Sequence, residues 1–254
     1  MRALWPQAHH GLDPWALYRP DDPDAPLLRL NMVAGVDGAA TDRHGHTAEL
    51  GGPGDWEVFR TLRAQADVVL VGAGTARREG YGPARLRRDL AARRRDDLGR
   101  ARRPAIVLVS RSLALDPASP IFAEADPPTA VLTCAGASAQ RRARLEPVAT
   151  VLTAGGDHVD LVDGLARIRQ VMGPVITCEG GPSLNASLLR AGVVDELCVT
   201  LAPQLVGVPS APRLAGDLDE PAALSLRQVA IDDTGELYLR YRLAHREGAG
   251  DAHG

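Results

Sequence analysis

The feature that most constrains the fold is a short, continuous apolar run that recurs along the chain and ends each time at a turn. Four segments are of this type: "VVLVG" (68–72), "AIVLVS" (105–110), "TAVLTC" (129–134) and "VITCEG" (175–180). Apolar runs without polar alternation are typical of strands buried on both faces, as in a parallel sheet. We therefore expect these strands to form the centre of the fold.

The segments around these runs complete the predicted fold. Helical patterns appear in "PGDWEVFRTLRAQA", where Asp55 is expected as N-cap or first-turn acid, and in "SAQRRARLEP", "HVDLVDGLARIRQVMG" and "PSLNASLLRAG". "LLRLNMVAGVDG" predicts a further strand, and "ALSLRQVAID" with "ELYLRYRL" predicts an antiparallel hairpin. The expected fold class is α/β with three layers: a mixed, mostly parallel sheet, helices on both faces and a C-terminal antiparallel hairpin.

Changes in composition divide the chain into three parts. Residues 1–26 are rich in Pro and Asp, and we expect an N-terminal arm without regular structure that lies over the domain. Its apolar side chains are expected to anchor it to the core or to a second subunit: Trp15, Leu17 and Tyr18. Residues 27–246 form the predicted domain, and residues 247–254, "EGAGDAHG", a disordered tail.

Composition and charge narrow the classes of function. The net charge of −3 gives no electrostatic reason to expect a nucleic-acid or membrane partner. No apolar stretch is long enough for a membrane span, and the N-terminus lacks the apolar core of a signal peptide. Three Cys lie in apolar runs, which favours reduced, buried thiols and a cytoplasmic protein. His44 and His46 lack a third ligand, so we predict no metal site.

Glycine-bearing turns follow three of the predicted strands, at 36–38, 71–75 and 178–183. Ligands of open α/β sheets bind beyond the carboxyl ends of the strands, where glycine lets the backbone approach phosphate. These turns are either ordinary connections or two phosphate cradles from different strands. The cradle residues would be Gly72, Gly74 and Thr75 on one strand, and Gly180, Gly181 and Ser183 on the other.

Three further features have a structural and a functional interpretation. Ser110 and Arg111 end a strand and are either loop residues or ligands of a 2′-phosphate, which would select NADP over NAD. Asp37 either bonds its own turn or orients an amino-substituted heterocycle. The Arg-rich segment 84–103 is either a solvated helix or loop, or a flap that recruits phosphate.

These segments together resemble the pyrimidine reductase family, which is the C-terminal domain of the bifunctional riboflavin-pathway enzyme and has the dihydrofolate reductase fold. The resemblance runs from about Leu28 to Leu243. "NMVAGVDGAA" is similar to the first strand and turn of the family, and "ADVVLVGAGTARREGYGP" to its nucleotide turn. "CEGGPSLNASLLRAGVVDELCVTLAPQLVG" is the most specific match.

The resemblance implies an NADPH-dependent reductase, usually a homodimer, that acts on a small molecule. The family reaction reduces the ribosyl group of a pyrimidinone ribosylamine phosphate to ribityl. By similarity, Asp37 and Glu179 would face or organise the substrate as catalytic residues, and Ala34 and Ala40 would flank the nicotinamide. The remaining cofactor ligands would be Gly72, Gly74, Thr75, Ser110, Arg111, Gly180, Gly181, Ser183 and Leu184.

The turn after the first predicted strand departs from the family pattern. Gly35 replaces the usual Ser, and Ala39 replaces a Lys that serves the substrate. The chain resembles stand-alone actinobacterial members, some of which reduce dihydrofolate instead. Three possibilities therefore stay open: reduction of 5-amino-6-(5-phosphoribosylamino)uracil or a related pyrimidine, reduction of a dihydropterin, or NADP(H) binding without catalysis. Arg85, Arg87 or Arg88 would replace the Lys, and a water held by Asp37 would supply the proton.

Overall fold

The computed structural model describes residues 1–8, 10–11, 13–47 and 49–244. These residues form one ten-stranded sheet in the order β1-β9-β10-β8-β2-β7-β3-β4-β5-β6. Its strands are β1 (Arg2–Trp5), β2 (Leu27–Gly35), β3 (Val68–Gly72), β4 (Ala105–Val109), β5 (Ala130–Thr133), β6 (Thr150–Thr153), β7 (Val175–Cys178), β8 (Glu196–Ala202), β9 (Leu224–Ile231) and β10 (Leu237–Leu243).

The sheet has a parallel part and an antiparallel part. The strands from β8 through β2, β7, β3, β4 and β5 to β6 run parallel. β10 is antiparallel to β8 and β9, and β9 is antiparallel to β1. The predicted mixed, mostly parallel sheet with a C-terminal hairpin is therefore confirmed. The sequence patterns did not predict β1, β6 and β8, which are short or lie outside the recurring apolar runs.

Helices cover both faces of the sheet, as predicted. They are α1 (Pro14–Tyr18), α2 (Pro53–Gln65), α3 (Ala73–Arg78), α4 (Arg88–Leu98), α5 (Pro120–Ala123), α6 (Ala139–Leu145), α7 (Leu161–Met172) and α8 (Pro182–Arg190). Alternate strand residues serve alternate faces, because successive side chains of a strand point in opposite directions. Leu70 packs with α7 and α8, whereas Val69 packs with α3, α5 and α6.

The N-terminal segment is ordered, which corrects the prediction that residues 1–26 lack regular structure. β1 extends the sheet, and Asp13 caps α1 by accepting a hydrogen bond from the Trp15 amide at 3.0 Å. Trp15 and Tyr18 are buried, and Arg29 donates to the Tyr18 carbonyl at 2.6 Å. The anchor is thus the core of the same chain. The predicted tail, 247–254, lies outside the described residues.

The Arg-rich segment forms α4 and packs against α2. Arg94 is buried and donates to the Ala64 carbonyl at 2.9 Å, and Arg100 pairs with Asp67 at 3.0 Å. Burial lowers the pKa of Arg94 to about 10, since desolvation disfavours its charge. These guanidinium groups satisfy the carbonyls at the end of α2, where a helix needs donors. The contacts of Arg94 and Arg100 therefore give these two arginines a structural role, without a phosphate ligand.

Candidate functional site

One cleft opens at the carboxyl ends of β2, β3, β4 and β7, and it has two lobes. The glycine lobe is lined chiefly by the glycine turns and the start of α8: Gly72, Ala73, Gly74, Ser183 and Leu184. The aromatic lobe is lined chiefly by α2 and the segment after α3: Trp56, Phe59, Arg63 and Tyr81. Four residues line both lobes, which makes them one continuous cleft: Thr75, Arg78, Gly181 and Pro182.

Backbone contacts between two glycine turns build the glycine lobe. The Gly72 amide donates to the Gly180 carbonyl at 3.0 Å, which joins the end of β3 to the turn after β7. Gly181 has φ +99° and begins α8, and a Cβ there would lie 2.8 Å from Thr75 Oγ1. The described residues provide no side-chain cap for α8. Its first amides therefore remain available to an anionic ligand, which the helix dipole also favours.

Helix α2 supplies one wall of the aromatic lobe. Its residues 55, 56, 59 and 63 all line the lobe, because spacings of three and four place side chains on one helical face. The rings of Trp56 and Phe59 meet edge to face, with centroids 5.4 Å apart and planes at 83°. This wall offers an aromatic surface against which a flat heterocycle can stack.

A largely buried ion pair closes the floor of the aromatic lobe. Arg63 donates through Nε and Nη2 to the two carboxylate oxygens of Glu179, each at 2.6 Å, and Tyr81 donates to the same carboxylate at 2.9 Å. The guanidinium lies 4.2 Å from the Phe59 ring centroid. Burial alone lowers the pKa of Arg63, but the Glu179 carboxylate outweighs it, so that this pKa is raised. The pair is a fixed, charge-balanced fork.

Asp55, at the third position of α2, is a further acid of the aromatic lobe, which Glu79 also lines. Burial raises the pKa of the Asp55 carboxyl to about 6, the Thr200 hydroxyl opposes this shift through a hydrogen bond, and nearby Glu236 adds to it. A carboxyl with such a pKa in a pocket is suited to hold or transfer a proton near neutral pH. The sequence analysis assigned Asp55 only a capping role and missed this position.

The two-lobed cleft lies in a chain whose family is identified by comparison with known proteins. The model of the RibD C-terminal domain family matches residues 26–239. The chain belongs to this family. The match spans both lobes and supports the family resemblance found in the sequence.

Individual relatives of the RibD C-terminal domain family place the chain among reductases. It is 31% identical over 182 residues to the 2,5-diamino-6-ribosylamino-4(3H)-pyrimidinone 5′-phosphate reductase of Methanothermobacter thermautotrophicus, covering 72% of this chain and 80% of that protein. A pyrimidine reductase-like protein of Corynebacterium diphtheriae has a TM-score of 0.81 at 28% identity, covering 92% of this chain and 100% of that one. The Rib7 reductase of Saccharomyces cerevisiae shares the fold, with a TM-score of 0.63 at 17% identity, covering 91% and 95%.

Most cofactor ligands expected from the family line the cleft. The glycine lobe contains Gly72, Gly74, Thr75, Arg111, Gly181, Ser183 and Leu184, and the aromatic lobe contains Ala40. Glu179, expected as a catalytic residue, also lines the aromatic lobe. Three expected ligands do not line either lobe. Ala34 is buried, and a Cβ at Gly180 would lie 3.1 Å from Met32 Sδ, so this glycine serves packing. Ser110 is buried, and its hydroxyl accepts from the Leu113 amide at 3.1 Å.

Asp37, which the family resemblance places on the substrate side, does not line either lobe. Its carboxylate accepts from the Gly207 amide at 2.8 Å and from the Ala39 amide at 3.3 Å. These bonds lower its pKa, with Gly207 as the main cause. The turn interpretation of Asp37 therefore describes its contacts. A short polar side chain after a strand bonds local amides more readily than it reaches across a cleft.

None of the three arginines expected to replace the family lysine lines either lobe. Arg85 pairs with Glu124 at 2.6 Å, and Arg87 pairs with Glu57 at 2.6 Å. Arg88 also does not line the aromatic lobe. Arg63 and Arg78 are the arginines that line it instead. Sequence reasoning missed both, because they sit in ordinary helical patterns without a local motif.

The glycine lobe also gains residues that the sequence patterns did not identify. His158 and Val159 enter it from the loop between β6 and α7. The sequence analysis placed both residues in the helical segment 158–173, whereas α7 begins only at Leu161. Among the described residues, no cluster of three His, Cys, Asp or Glu side chains is placed to hold a metal ion. Nor does any described helix combine the length and apolarity that crossing a bilayer requires.

Proposed function

We propose that the protein is an NADPH-dependent reductase of a pyrimidine- or pterin-like small molecule, related to the reduction of 5-amino-6-(5-phosphoribosylamino)uracil in riboflavin biosynthesis. One observation carries this proposal. A backbone-lined lobe suited to phosphates opens, through Thr75 and Gly181, into an aromatic lobe that holds an acid and a fixed guanidinium. That arrangement brings a dinucleotide and a heterocycle together in one cleft.

The residues of the glycine lobe fit a dinucleotide. The two joined glycine turns leave room that a Cβ at Gly181 would fill, and the start of α8 favours a pyrophosphate. Arg111 supplies a planar fork for a 2′-phosphate, which supports NADPH rather than NADH. Ala40, small and buried at the aromatic lobe, leaves space for a nicotinamide ring. A bound dihydronicotinamide supplies the hydride.

The residues of the aromatic lobe fit the substrate. Trp56 and Phe59 stack a flat ring, and the Arg63–Glu179 pair presents fixed polar edges that orient it. Asp55 holds a proton for the nitrogen that becomes an amine as its neighbouring carbon is reduced. The lobe also excludes water from the reacting bond by surrounding it with apolar and aromatic groups.

A dihydropterin is the second candidate substrate, and Ala39 favours it. This residue is buried and replaces the lysine that serves the phosphorylated substrate in the family pattern. A pterin needs an acid for its amino-heterocycle and no phosphate ligand, and Asp55 provides such an acid.

Two measurements test the proposed function. NADPH at 100 times its dissociation constant should raise the free energy of unfolding by about 2.7 kcal/mol, and NADH at the same concentration by clearly less. Steady-state oxidation of NADPH with the pyrimidinone ribosylamine phosphate and with dihydrofolate then identifies the substrate. Equal stabilisation by both cofactors would contradict the assignment of Arg111. Binding of NADPH without turnover of either substrate would point to a non-catalytic protein.

We further propose a cytoplasmic homodimer. The free, buried thiols of the described residues fit a reducing compartment. Leu4, Trp5, Leu224 and Leu226 lie on the paired strands β1 and β9 and are 41% to 52% exposed, which is typical of an interface. Light scattering should give the mass of two chains, and Leu226→Glu should shift it toward one. Val171→Glu, at an exposed position of α7, is the control and should leave the mass unchanged.

A further inference from the structure

A cluster of buried acids lies behind the aromatic lobe, at the start of α2. Glu236, in the turn just before β10, is 2% exposed. Its Oε1 accepts from the Gly52 amide at 2.5 Å, and its Oε2 accepts from the Asp55 amide at 3.3 Å. A side chain that is distant in sequence therefore caps this helix. None of the salt bridges formed by the described residues includes Asp55, Asp232 or Glu236.

This cap changes what Asp55 can do. Gly52 is the N-cap of α2, and Asp55 is the third residue after it. An acid at that position ordinarily reaches back to the N-cap amide and is held there as a carboxylate. Here the Gly52 amide donates its hydrogen bond to Glu236 instead. The Asp55 carboxyl instead packs over Gly51, where an added Cβ would overlap it, and lines the aromatic lobe.

The hydroxyl of Tyr238 lies between two carboxyl groups of the cluster. This oxygen lies 2.7 Å from Glu236 Oε2 and 2.8 Å from Asp232 Oδ2. The hydroxyl thus ties Glu236 to Asp232 and holds the Glu236 carboxyl group against the start of α2. Gly54 makes this approach possible, since a Cβ there would overlap the hydroxyl.

We propose that Glu236 is a positioning residue that makes Asp55 the acid of this pocket. It replaces Asp55 as the cap of α2 and sets a second carboxyl group beside it, so that Asp55 retains a proton in the range where the enzyme works. The inference rests on the proposed function. As the carbon of a C=N bond receives hydride, its nitrogen takes the Asp55 proton. An N–H bond forms, the O–H bond breaks, and solvent reprotonates the carboxylate.

Several other groups face Asp55 and contribute to its charge state. Tyr238 lies on β10, Asp232 and Glu236 lie in the turn before it, and the Thr200 hydroxyl lies on β8. Tyr18 of α1 is near enough for Asp55 to raise its pKa, although burial is the larger cause. Across the lobe, Arg63 is neutralised by Glu179. Arg78 and Glu79 also line this lobe. The described groups named here are thus acids and hydroxyls on the side of α2, with the arginines across the lobe.

The titration of Asp55 tests the role of Glu236 without any substrate. Carboxyl carbons are followed by ¹³C NMR as a function of pH, and Asp55→Asn identifies the resonance. Glu236→Gln keeps an oxygen that can accept from Gly52 and removes the acid. We expect its Asp55 midpoint to fall by about one pH unit. Glu57→Gln, on the same helix but outside the cluster, should leave the midpoint unchanged.

Turnover provides the second measurement. At pH 7.5 the Glu236→Gln variant should reduce substrate about tenfold more slowly, and its pH profile should move to lower pH together with the Asp55 midpoint. An Asp55 midpoint that Glu236→Gln does not move would overturn the inference, even if turnover falls. If the unaltered protein does not bind NADPH, the proposed function is wrong. The NMR titration still decides whether Glu236 sets the pKa of Asp55, because it is made without substrate. Because Glu236→Ala also removes the cap, Glu236→Gln is the deciding variant.

Discussion

The two lobes of the cleft are built in different ways. The glycine lobe is mostly backbone: the Gly72–Gly180 hydrogen bond and the start of α8 define it. The aromatic lobe is made of side chains that are distant in sequence. Arg63 meets Glu179 across 116 positions. Substitutions that add a side chain should therefore disrupt the glycine lobe, whereas substitutions that truncate or remove polar groups should disrupt the aromatic lobe.

The largest expected effect is the loss of the ion pair in the aromatic lobe. Arg63→Leu leaves the Glu179 carboxylate, 2% exposed, without its partner. Breaking such a pair from one side destabilises a protein by about 3–5 kcal/mol, because a buried charge is left uncompensated. Urea denaturation should show this loss in the free energy of unfolding.

The control for this variant is Arg60→Leu on the same helix. Arg60 is 45% exposed, and its nitrogen lies 3.9 Å from Glu57, so its removal should change stability by less than about 1 kcal/mol. Arg63→Leu combined with Glu179→Leu should recover part of the stability lost in the single variant. Equal stability of the Arg60 and Arg63 variants would mean that the pair does not support the lobe.

The next effect concerns the pH dependence of stability. Folding raises the pKa of Asp55 from 3.8 to about 6, mainly through burial. The folded protein therefore binds more protons than the unfolded chain between these values, and its stability falls as pH rises from about 4 to 6. The expected contribution is about 3 kcal/mol. Asp55→Asn should remove this slope, measured by urea denaturation at pH 4.5 and 7.

An acid outside the aromatic lobe provides the comparison for Asp55→Asn. Asp42 is half-buried and its pKa is lowered, chiefly by a backbone hydrogen bond from His46, so its contribution to the slope has the opposite sign. Asp42→Asn should therefore leave the decrease between pH 4 and 6 in place. If Asp55→Asn retains the full decrease, another group carries it.

The sequence predicted the two lobes unequally, for a physical reason. Sites built from the backbone need glycine at particular positions, so Gly72 and Gly181 can be recognised from the local sequence. Side-chain sites depend on which elements meet in space. Asp55 resembled a helix cap, and only its displacement by Glu236, from the turn before β10, points to the proposed role as an acid. Asp37 is the opposite case. Its bonds to nearby amides could be predicted from the sequence, but its absence from both lobes could not.

A smaller effect is expected in the glycine lobe from a single added carbon. Gly181→Ala places a Cβ 2.8 Å from Thr75 Oγ1 at φ +99°, which side chains rarely adopt. The turn must shift, and NADPH affinity should fall about tenfold or more, measured by titration calorimetry. Gly99→Ala is the control, since it has φ +63° and no described atom near the added carbon. Equal NADPH affinity in both variants would exclude Gly181 from the cofactor site.

The smallest effect separates the two nicotinamide cofactors. Arg111 lines the glycine lobe, and we expect Arg111→Gln to weaken NADPH about tenfold while leaving NADH almost unchanged, because only NADPH carries the 2′-phosphate. Arg141→Gln is the control. It removes the hydrogen bond from the Arg141 guanidinium to the Ser112 carbonyl at 2.9 Å, and so tests whether a change in the loop that contains Arg111 is enough to weaken NADPH. If Arg111→Gln weakened both cofactors equally, Arg111 would shape the lobe rather than read the phosphate. Any preference for NADPH over NADH would then have to come from backbone amides of the lobe rather than from a side chain.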